Sequence, residues 1–334
     1  MIATNQLEKD SKILLVKGKA GLGNRLLCLL GSILYADITD RQLVIDWCDG
    51  AYSKKGDNAF PLYFVTPTTH NYNIADKSIF PPIWTSHINY SADELMAKYS
   101  HDEMDNRKSI SSIYSADFTS KAHKDDIVVH WSYFDDIESL RPYLKGKHKR
   151  YNKLSREAIL KEVWNKNLTL TPTIKSLIEN FKQCNFSQYN IGVHIRYSDR
   201  KNSYKHYPKI INRILKKHPD SNIFLSTDNR DVEKEFKYLF KNITITKKWL
   251  PEPGTPVHRN KHMASKYTIG SEALIDIYLL AECDFLIYDK TTTFGYCASI
   301  ISKATSNNIF EMSPISHTIK SKIKSVYNRI RLAL

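Results

Sequence analysis

Cysteine is scarce in this chain: five in 334 residues, at 28, 48, 184, 283 and 297, odd in number and with no Cys-x-x-Cys pair. That pattern excludes a zinc ribbon and a thioredoxin-type redox pair. Four of the five lie among apolar or aromatic residues, where a thiol packs rather than reacts. The expectation is a reducing compartment with no structural zinc. Long apolar runs are missing too. The longest nearly apolar stretch, 26–36, is too short to cross a bilayer. Residues 1–12 are polar and hold no apolar signal region. These shortages predict a cytoplasmic protein, at most peripheral on the inner face of a membrane. Acid is the third shortage, with 35 Asp+Glu against 49 Lys+Arg and a formal charge of +14. Such a balance favours an anionic partner: a nucleotide, a phospholipid surface or nucleic acid. The basic residues are spread along the chain without a nucleic-acid motif, so no nucleic acid is expected.

What is present is ordinary for a globular protein: 42% hydrophobic and 25% charged residues. The length suits two domains. Residues 12–16 read as a strand, followed by a glycine-rich basic turn, Lys17-Gly18-Lys19-Ala20-Gly21-Leu22-Gly23-Asn24-Arg25. A helix is expected over 26–38, then a strand, Leu43-Val44-Ile45, ending at Asp46-Trp47. The turn lacks the third glycine of a dinucleotide fingerprint and the Gly-Lys-Ser/Thr ending of a P-loop. It is either a helix-start turn or a loop facing an interdomain cleft. In the second case Gly23, Asn24, Arg25, Asp46 and Trp47 are the acceptor-side candidates. Residues 127–131 read as a strand closing this first sheet. Asp135-Asp136 after it reads as a helix start or solvated pair rather than a metal site. The basic stretch 141–153 reads as a linker or basic surface.

Beyond Leu168 strands and helices alternate, which implies a parallel sheet with helices on both faces. The central stretch is Asn190-Ile191-Gly192-Val193-His194-Ile195-Arg196-Tyr197-Ser198-Asp199. Its alternation predicts a strand with one apolar face that carries His194 and Arg196 to its C-terminal end. That edge is where open α/β sheets bind ligands, and a guanidinium fork suits a phosphate. A strand ends at Ser226-Thr227-Asp228, and a long loop spans 249–268. Ser271 is expected to cap a helix over 272–282. Three threonines, 291–293, stand between a strand and a helix, placing hydroxyls and free N–H groups where an anion can sit. The tail, 319–334, is a basic amphipathic helix, which packs on a neighbouring domain or lies on an anionic membrane.

Several motifs, in order, resemble one family: Arg41-Gln42-Leu43-Val44-Ile45-Asp46-Trp47, Asn58-Ala59-Phe60-Pro61, Phe80-Pro81-Pro82-Ile83-Trp84, Ile191-Gly192-Val193-His194-Ile195-Arg196, Phe224-Leu225-Ser226-Thr227-Asp228, the stretch from Ala273 to Ala281, and Thr291-Thr292-Thr293-Phe294. The chain resembles the bacterial nodulation fucosyltransferases (nodulation protein Z) and, more distantly, the α-1,6- and α-1,2-fucosyltransferases. The resemblance implies an α/β GT-B-like fold: two Rossmann-like domains facing a cleft, with a C-terminal helix available to cross back. The expected domains are an acceptor-side domain over 1–165, a donor domain over 166–312, and the basic helix over 313–334. It further implies inverting, metal-independent transfer from GDP-fucose to a glycan or glycolipid hydroxyl. His194, Arg196, Asp228, Asp276, Thr292, Thr293 and Phe294 would bind the donor, with Arg196 on its β-phosphate. After Arg196 the chain departs from the family's usual basic residue or longer acidic loop, leaving Asp199 as the nearest candidate base. Two other readings remain open: a related transferase using another nucleotide sugar for lipopolysaccharide or capsule, and a catalytically silent nucleotide- or glycan-binding protein.

Overall fold

The computed structural model describes residues 11–65, 76–99, 113–119, 123–197, 204–248, 250 and 265–312. The chain divides into two compact units. One is Met1–Ser176 with Lys261–Leu274, and the other is Leu177–Asn260 with Ile275–Leu334. The sequence suggested a single boundary at 165/166. The expected C-terminal helix, 313–334, lies outside the described residues.

In the first unit a four-stranded parallel sheet has the order β2-β1-β5-β4. Its strands are β1 (Ile13–Lys17), β2 (Gln42–Asp46), β4 (Ile79–Phe80) and β5 (Ile127–His130). A separate antiparallel pair joins β3 (Phe64–Val65) to β6 (Thr169–Leu170). Every residue of β1 and β5 is buried, because both strands are internal. This corrects the expectation that β5 closes the sheet; β4 flanks it, a two-residue strand that the prolines after it disguised in the sequence. Ile13, Leu15, Val44, Ile127 and Val129 pack with Trp84, Leu95, Tyr114 and Trp131 on one side of the sheet. Helix α1 (Leu22–Thr39) starts four residues earlier than its apolar spacing suggested. After the short α2 (Phe60–Tyr63) comes α3 (Ala92–Lys98), which Ser91 and Glu94 open with a reciprocal capping box.

Asp136 does start a short helix, α4 (Ile137–Leu140), but Asp135 is not solvated. Its carboxylate is buried, accepts from the Ile137 N–H and pairs with Arg156. The stretch 141–153 is no linker: it forms 3₁₀ turns inside the first unit. Helix α5 (Arg156–Asn167) follows, which the sequence reading missed.

Helix α6 (Pro172–Asn185) leads into the second unit, whose five-stranded sheet is parallel throughout, with the order β11-β10-β7-β8-β9. Its strands are β7 (Asn190–Ile195), β8 (Asn222–Thr227), β9 (Ile243–Thr244), β10 (Phe285–Asp289) and β11 (Ile309–Met312). β7 is the first strand of this unit and β10 the fourth, so the strand order reverses between them. All six residues of β7 are buried. The expectation of one apolar face fails because β7 is the middle strand and both its faces are covered. Ile191, Val193 and Ile195 pack beneath α7 (Tyr207–Leu215) and α8 (Arg230–Leu239). On the other face a side chain at Gly192 would press on Cys283. Helix α9 (Lys266–Ala281) begins before Ser271, which is therefore no cap. Ser271 Oγ instead donates to the Tyr267 carbonyl four residues back. Helix α10 (Thr293–Ile301) follows β10.

Candidate active site

In a doubly wound sheet the strand ends diverge where the strand order reverses, and ligands bind in that crevice. Here the reversal falls between β7 and β10, so the carboxyl ends to examine are His194 to Arg196 and Asp289 to Thr293. They are in contact. The His194 ring stacks on Phe294 at 4.8 Å between centroids and 18° between planes. Thr292 Oγ1 donates to the Asp289 carbonyl at 2.8 Å. A hydroxyl has one proton, so towards His194 Nδ1, at 3.4 Å, it accepts. The proton of the imidazole is thereby assigned to Nδ1, with Nε2 left as the acceptor. Burial, with the nearby charges of Arg196 and Lys248, pushes the His194 pKa down to about 3. The ring is neutral at physiological pH and serves as an aromatic surface and acceptor, not as a cation for phosphate.

The turn before α10 is built by Asp289. Its buried carboxylate accepts from Thr291 N at 2.8 Å and Thr291 Oγ1 at 2.7 Å. Thr292 is the N-cap residue and makes no side-chain cap. A helix start leaves its first N–H groups without intrahelical partners, which here belong to Thr293, Phe294 and Gly295. Thr293 and Phe294 are half-buried, and Arg196 is half-buried one residue past β7. The sheet edge thus carries a guanidinium and a helix N-terminus, both suited to an anion.

A second group continues along the same edge. His194 pairs in register with Ser226 on β8. Ser226 Oγ donates to Asp276 Oδ2 at 2.6 Å, and Thr246 Oγ1 donates to Asp276 Oδ1 at 2.6 Å. Lys248 Nζ pairs with Asp276 Oδ2 at 2.5 Å. The Asp276 side chain is 2% exposed, so the carboxylate holds other side chains in place. Asp228, one residue past β8, accepts from the Tyr197 N–H at 2.7 Å and fixes the chain just after Arg196. The sequence pointed to His194, Arg196, Asp228, Asp276, Thr292, Thr293 and Phe294, all at this edge. It missed Ser226, Thr246 and Lys248 as a set, because only the parallel pairing of β7, β8 and β9 assembles them. Asp199 lies outside the described residues.

The acceptor-side candidates lie in the first unit. Gly23, Asn24 and Arg25 belong to the first turn of α1 rather than to a loop. Arg25 is buried, with a bidentate pair to Asp49 (3.1 and 2.5 Å) and a 2.9 Å bond to the Ala20 carbonyl. Its guanidinium rests over the Trp47 and Tyr52 rings. Trp47 is fully buried, so it supports Arg25 and does not offer its ring to a ligand. Lys17 Nζ donates to Asp46 Oδ2 at 2.6 Å and to the Ile88 carbonyl. Gly23 is buried and Asn24 half-buried. Lys17 with Asp46 and Arg25 with Asp49 form internal ion pairs at the ends of β1 and β2. Among the described residues, no group of three or more His, Cys, Asp or Glu is placed to hold a metal ion. No described helix is long and apolar enough to cross a membrane.

With this geometry in view, comparison with solved structures is informative. An α-1,6-fucosyltransferase, NodZ, whose crystals were soaked with GDP-fucose, matches with a TM-score of 0.57 and 21% identity over 87% of this chain and 93% of its own. The NodZ enzyme from Bradyrhizobium gives the same values. FUT1 of Arabidopsis thaliana, in a mutant form solved in complex with GDP, matches with a TM-score of 0.56 and 17% identity over 91% of this chain and 71% of its own. POFUT1 in complex with GDP reaches 0.50 at 11% identity, covering 92% of this chain and 99% of its own. The chain has the fold of these fucosyltransferases. This is the α/β architecture with parallel sheets expected from the sequence. No family model matches the sequence, and no curated protein does.

Proposed function

We propose that the chain transfers fucose from GDP-fucose to a hydroxyl of a glycan or glycolipid, with inversion and without a metal. One observation carries the reading: the reversal point of the second unit's sheet gathers His194, Arg196 and the α10 N-terminus, in a fold shared with solved fucosyltransferases, several with GDP or GDP-fucose. The acceptor oxygen attacks the anomeric carbon as the bond to the β-phosphate breaks. Charge grows on that phosphate. Preorganised donors aimed at developing charge are the strongest means of lowering such a barrier. Arg196 supplies a fixed positive charge, and the N–H groups of Thr293, Phe294 and Gly295 supply the rest. Neutral His194, stacked on Phe294, holds the wall between them. The acceptor's proton passes to a carboxylate, for which Asp199 is the candidate.

The test is calorimetric titration in EDTA with GDP-fucose, GDP-mannose and UDP-sugars, followed by transfer assays on wild type and Arg196→Ala. GDP-fucose should bind most tightly of the three. The variant should lose transfer by orders of magnitude while keeping its melting temperature. Near-normal turnover in Arg196→Ala would remove the arginine from the mechanism. Binding of a different nucleotide sugar alone would favour the related-transferase reading, and binding without turnover the silent-binder reading.

A further inference from the structure

The second unit's sheet has an amino edge, opposite to the carboxyl edge described above. Its strands are parallel, so the chain enters β7, β8 and β9 at the same end. Helices α7 and α8 connect parallel neighbours, so each runs back against the strands and finishes at that end. The entry segments are neighbours there. Ile223 N donates to the Asn242 carbonyl at 2.8 Å, and the His218 ring lies 4.2 Å from that of Tyr189.

Two properties coincide at this edge. Among the described residues of the second unit, the large apolar side chains left exposed are Leu177, Tyr189, Tyr238 and Leu239, and all but Leu177 stand here. Tyr238, in the last turn of α8, is 90% exposed, so the fold makes no use of its ring. Around these groups Lys216 and Lys217 follow α7, while Lys237 and Lys241 flank the end of α8; all four are exposed. None of the four is in an ion pair among the described residues. The exposed acid beside them is Asp220, and the acids of α8, Asp231, Glu233 and Glu235, precede Lys237 towards the other edge. Lysines at a helix end complement its dipole, but that does not account for bare rings among them.

Single exposed apolar residues mean little; gathered together and rimmed with charge, they mark an interaction surface. Tyrosine with lysine suits a membrane interface, where the ring sits at headgroup level and the lysine stem lies along apolar surface with its ammonium in water. Such binding grows with apolar burial and with attraction to anionic lipid. Each lysine close to an anionic leaflet adds roughly fivefold. We propose that the amino edge of the second unit's sheet, centred on Tyr238 and the ends of α7 and α8, docks on an anionic phospholipid bilayer. The carboxyl edge then points away from the lipid. This docking does not depend on the nucleotide-sugar reading.

Co-flotation of the full chain with vesicles tests it, using phosphatidylcholine alone and equal parts phosphatidylcholine and phosphatidylglycerol. Wild type, Tyr238→Ser, Lys237→Gln/Lys241→Gln and the control Lys149→Gln/Lys153→Gln are compared. The control removes the same charge from exposed lysines of the first unit. Wild type should float with the anionic vesicles and not with phosphatidylcholine alone. The Lys237/Lys241 variant should bind at least tenfold more weakly, Tyr238→Ser several-fold more weakly, and the control like wild type, all with unchanged melting temperatures. An equal loss in the control would make the attraction a matter of overall charge and overturn the proposal. Unchanged binding in both edge variants would place the attachment elsewhere in the chain and overturn it too. Failure of wild type to bind anionic vesicles, or equal binding to both kinds, would do the same.

Discussion

Two buried histidines at strand ends show how the same residue type is set to different work. His194 is neutral because burial and two nearby cations oppose its protonation. His130, at the end of β5, is driven down to about 4 mainly by burial. Its Nδ1 lies 2.9 Å from the Ala116 carbonyl, to which it donates. Its Nε2 has no hydrogen-bond partner among the described residues and faces Asp136 Oδ2 at 3.7 Å. A bare acceptor against a carboxylate is unfavourable, and burial raises the Asp136 pKa to about 6. Asp136 also holds φ at 53°, in the left-handed region where asparagine is tolerated better than most residues. Asp136→Asn should therefore stabilise the fold at pH 7.5, by about 1 kcal/mol, its amide donating to His130 Nε2. The pH dependence gives the check. A raised carboxylate pKa means that the folded state binds the extra proton between pH 3.8 and about 6. The penalty of the wild-type carboxylate is full above that window and gone below it. Urea midpoints of variant and wild type should separate at pH 7.5 and converge towards pH 4. A separation that does not change with pH would assign the gain to the backbone instead.

At the scale of elements, the second unit was legible where apolar runs were bounded by turns: 191–195, 223–225 and 285–288 all lie within observed strands. What escaped had no such signal. β4 is two residues followed by prolines, and α5 follows directly on a basic run that dominated its surroundings. The alternation of Ile191, Val193 and Ile195 predicts strand β7 but leaves Gly192 on the face opposite them without a role. In the structure Gly192 is a packing requirement. A Cβ there would stand 3.1 Å from Cys283 Sγ and 3.2 Å from the Leu280 carbonyl, where α9 crosses the strand. Gly192→Ala should cost about 1–3 kcal/mol by overpacking. Adding Cys283→Ala removes the sulfur and should recover part of the loss, which paired thermal melts would show. No recovery would place the strain at Cys283 Cβ, which the alanine keeps at 3.1 Å, and at the Leu280 carbonyl.

At the scale of the whole molecule, the sequence conveyed the class of fold and many of the residues at the sheet edge proposed for the donor, but not the network on Asp276. Ser226, Thr246 and Asp276 are separated by twenty to fifty residues, and nothing local marks Lys248 among 49 basic residues. The proposed division of labour can be tested directly, because every described residue of the proposed donor site belongs to the second unit, while the acceptor-side candidates Gly23, Asn24, Arg25, Asp46 and Trp47 belong to the first. A ligand stabilises what it binds relative to states that do not bind it, and local opening is read by amide exchange. GDP should therefore slow exchange in β7, β8 and the first turn of α10. The ends of β1 and β2 should not respond, since Lys17, Arg25, Asp46 and Asp49 already satisfy one another. Exchange mass spectrometry with and without saturating GDP measures both regions in one experiment. Protection confined to β1 and β2 would move the nucleotide to the first unit and leave the edge around His194 without a ligand.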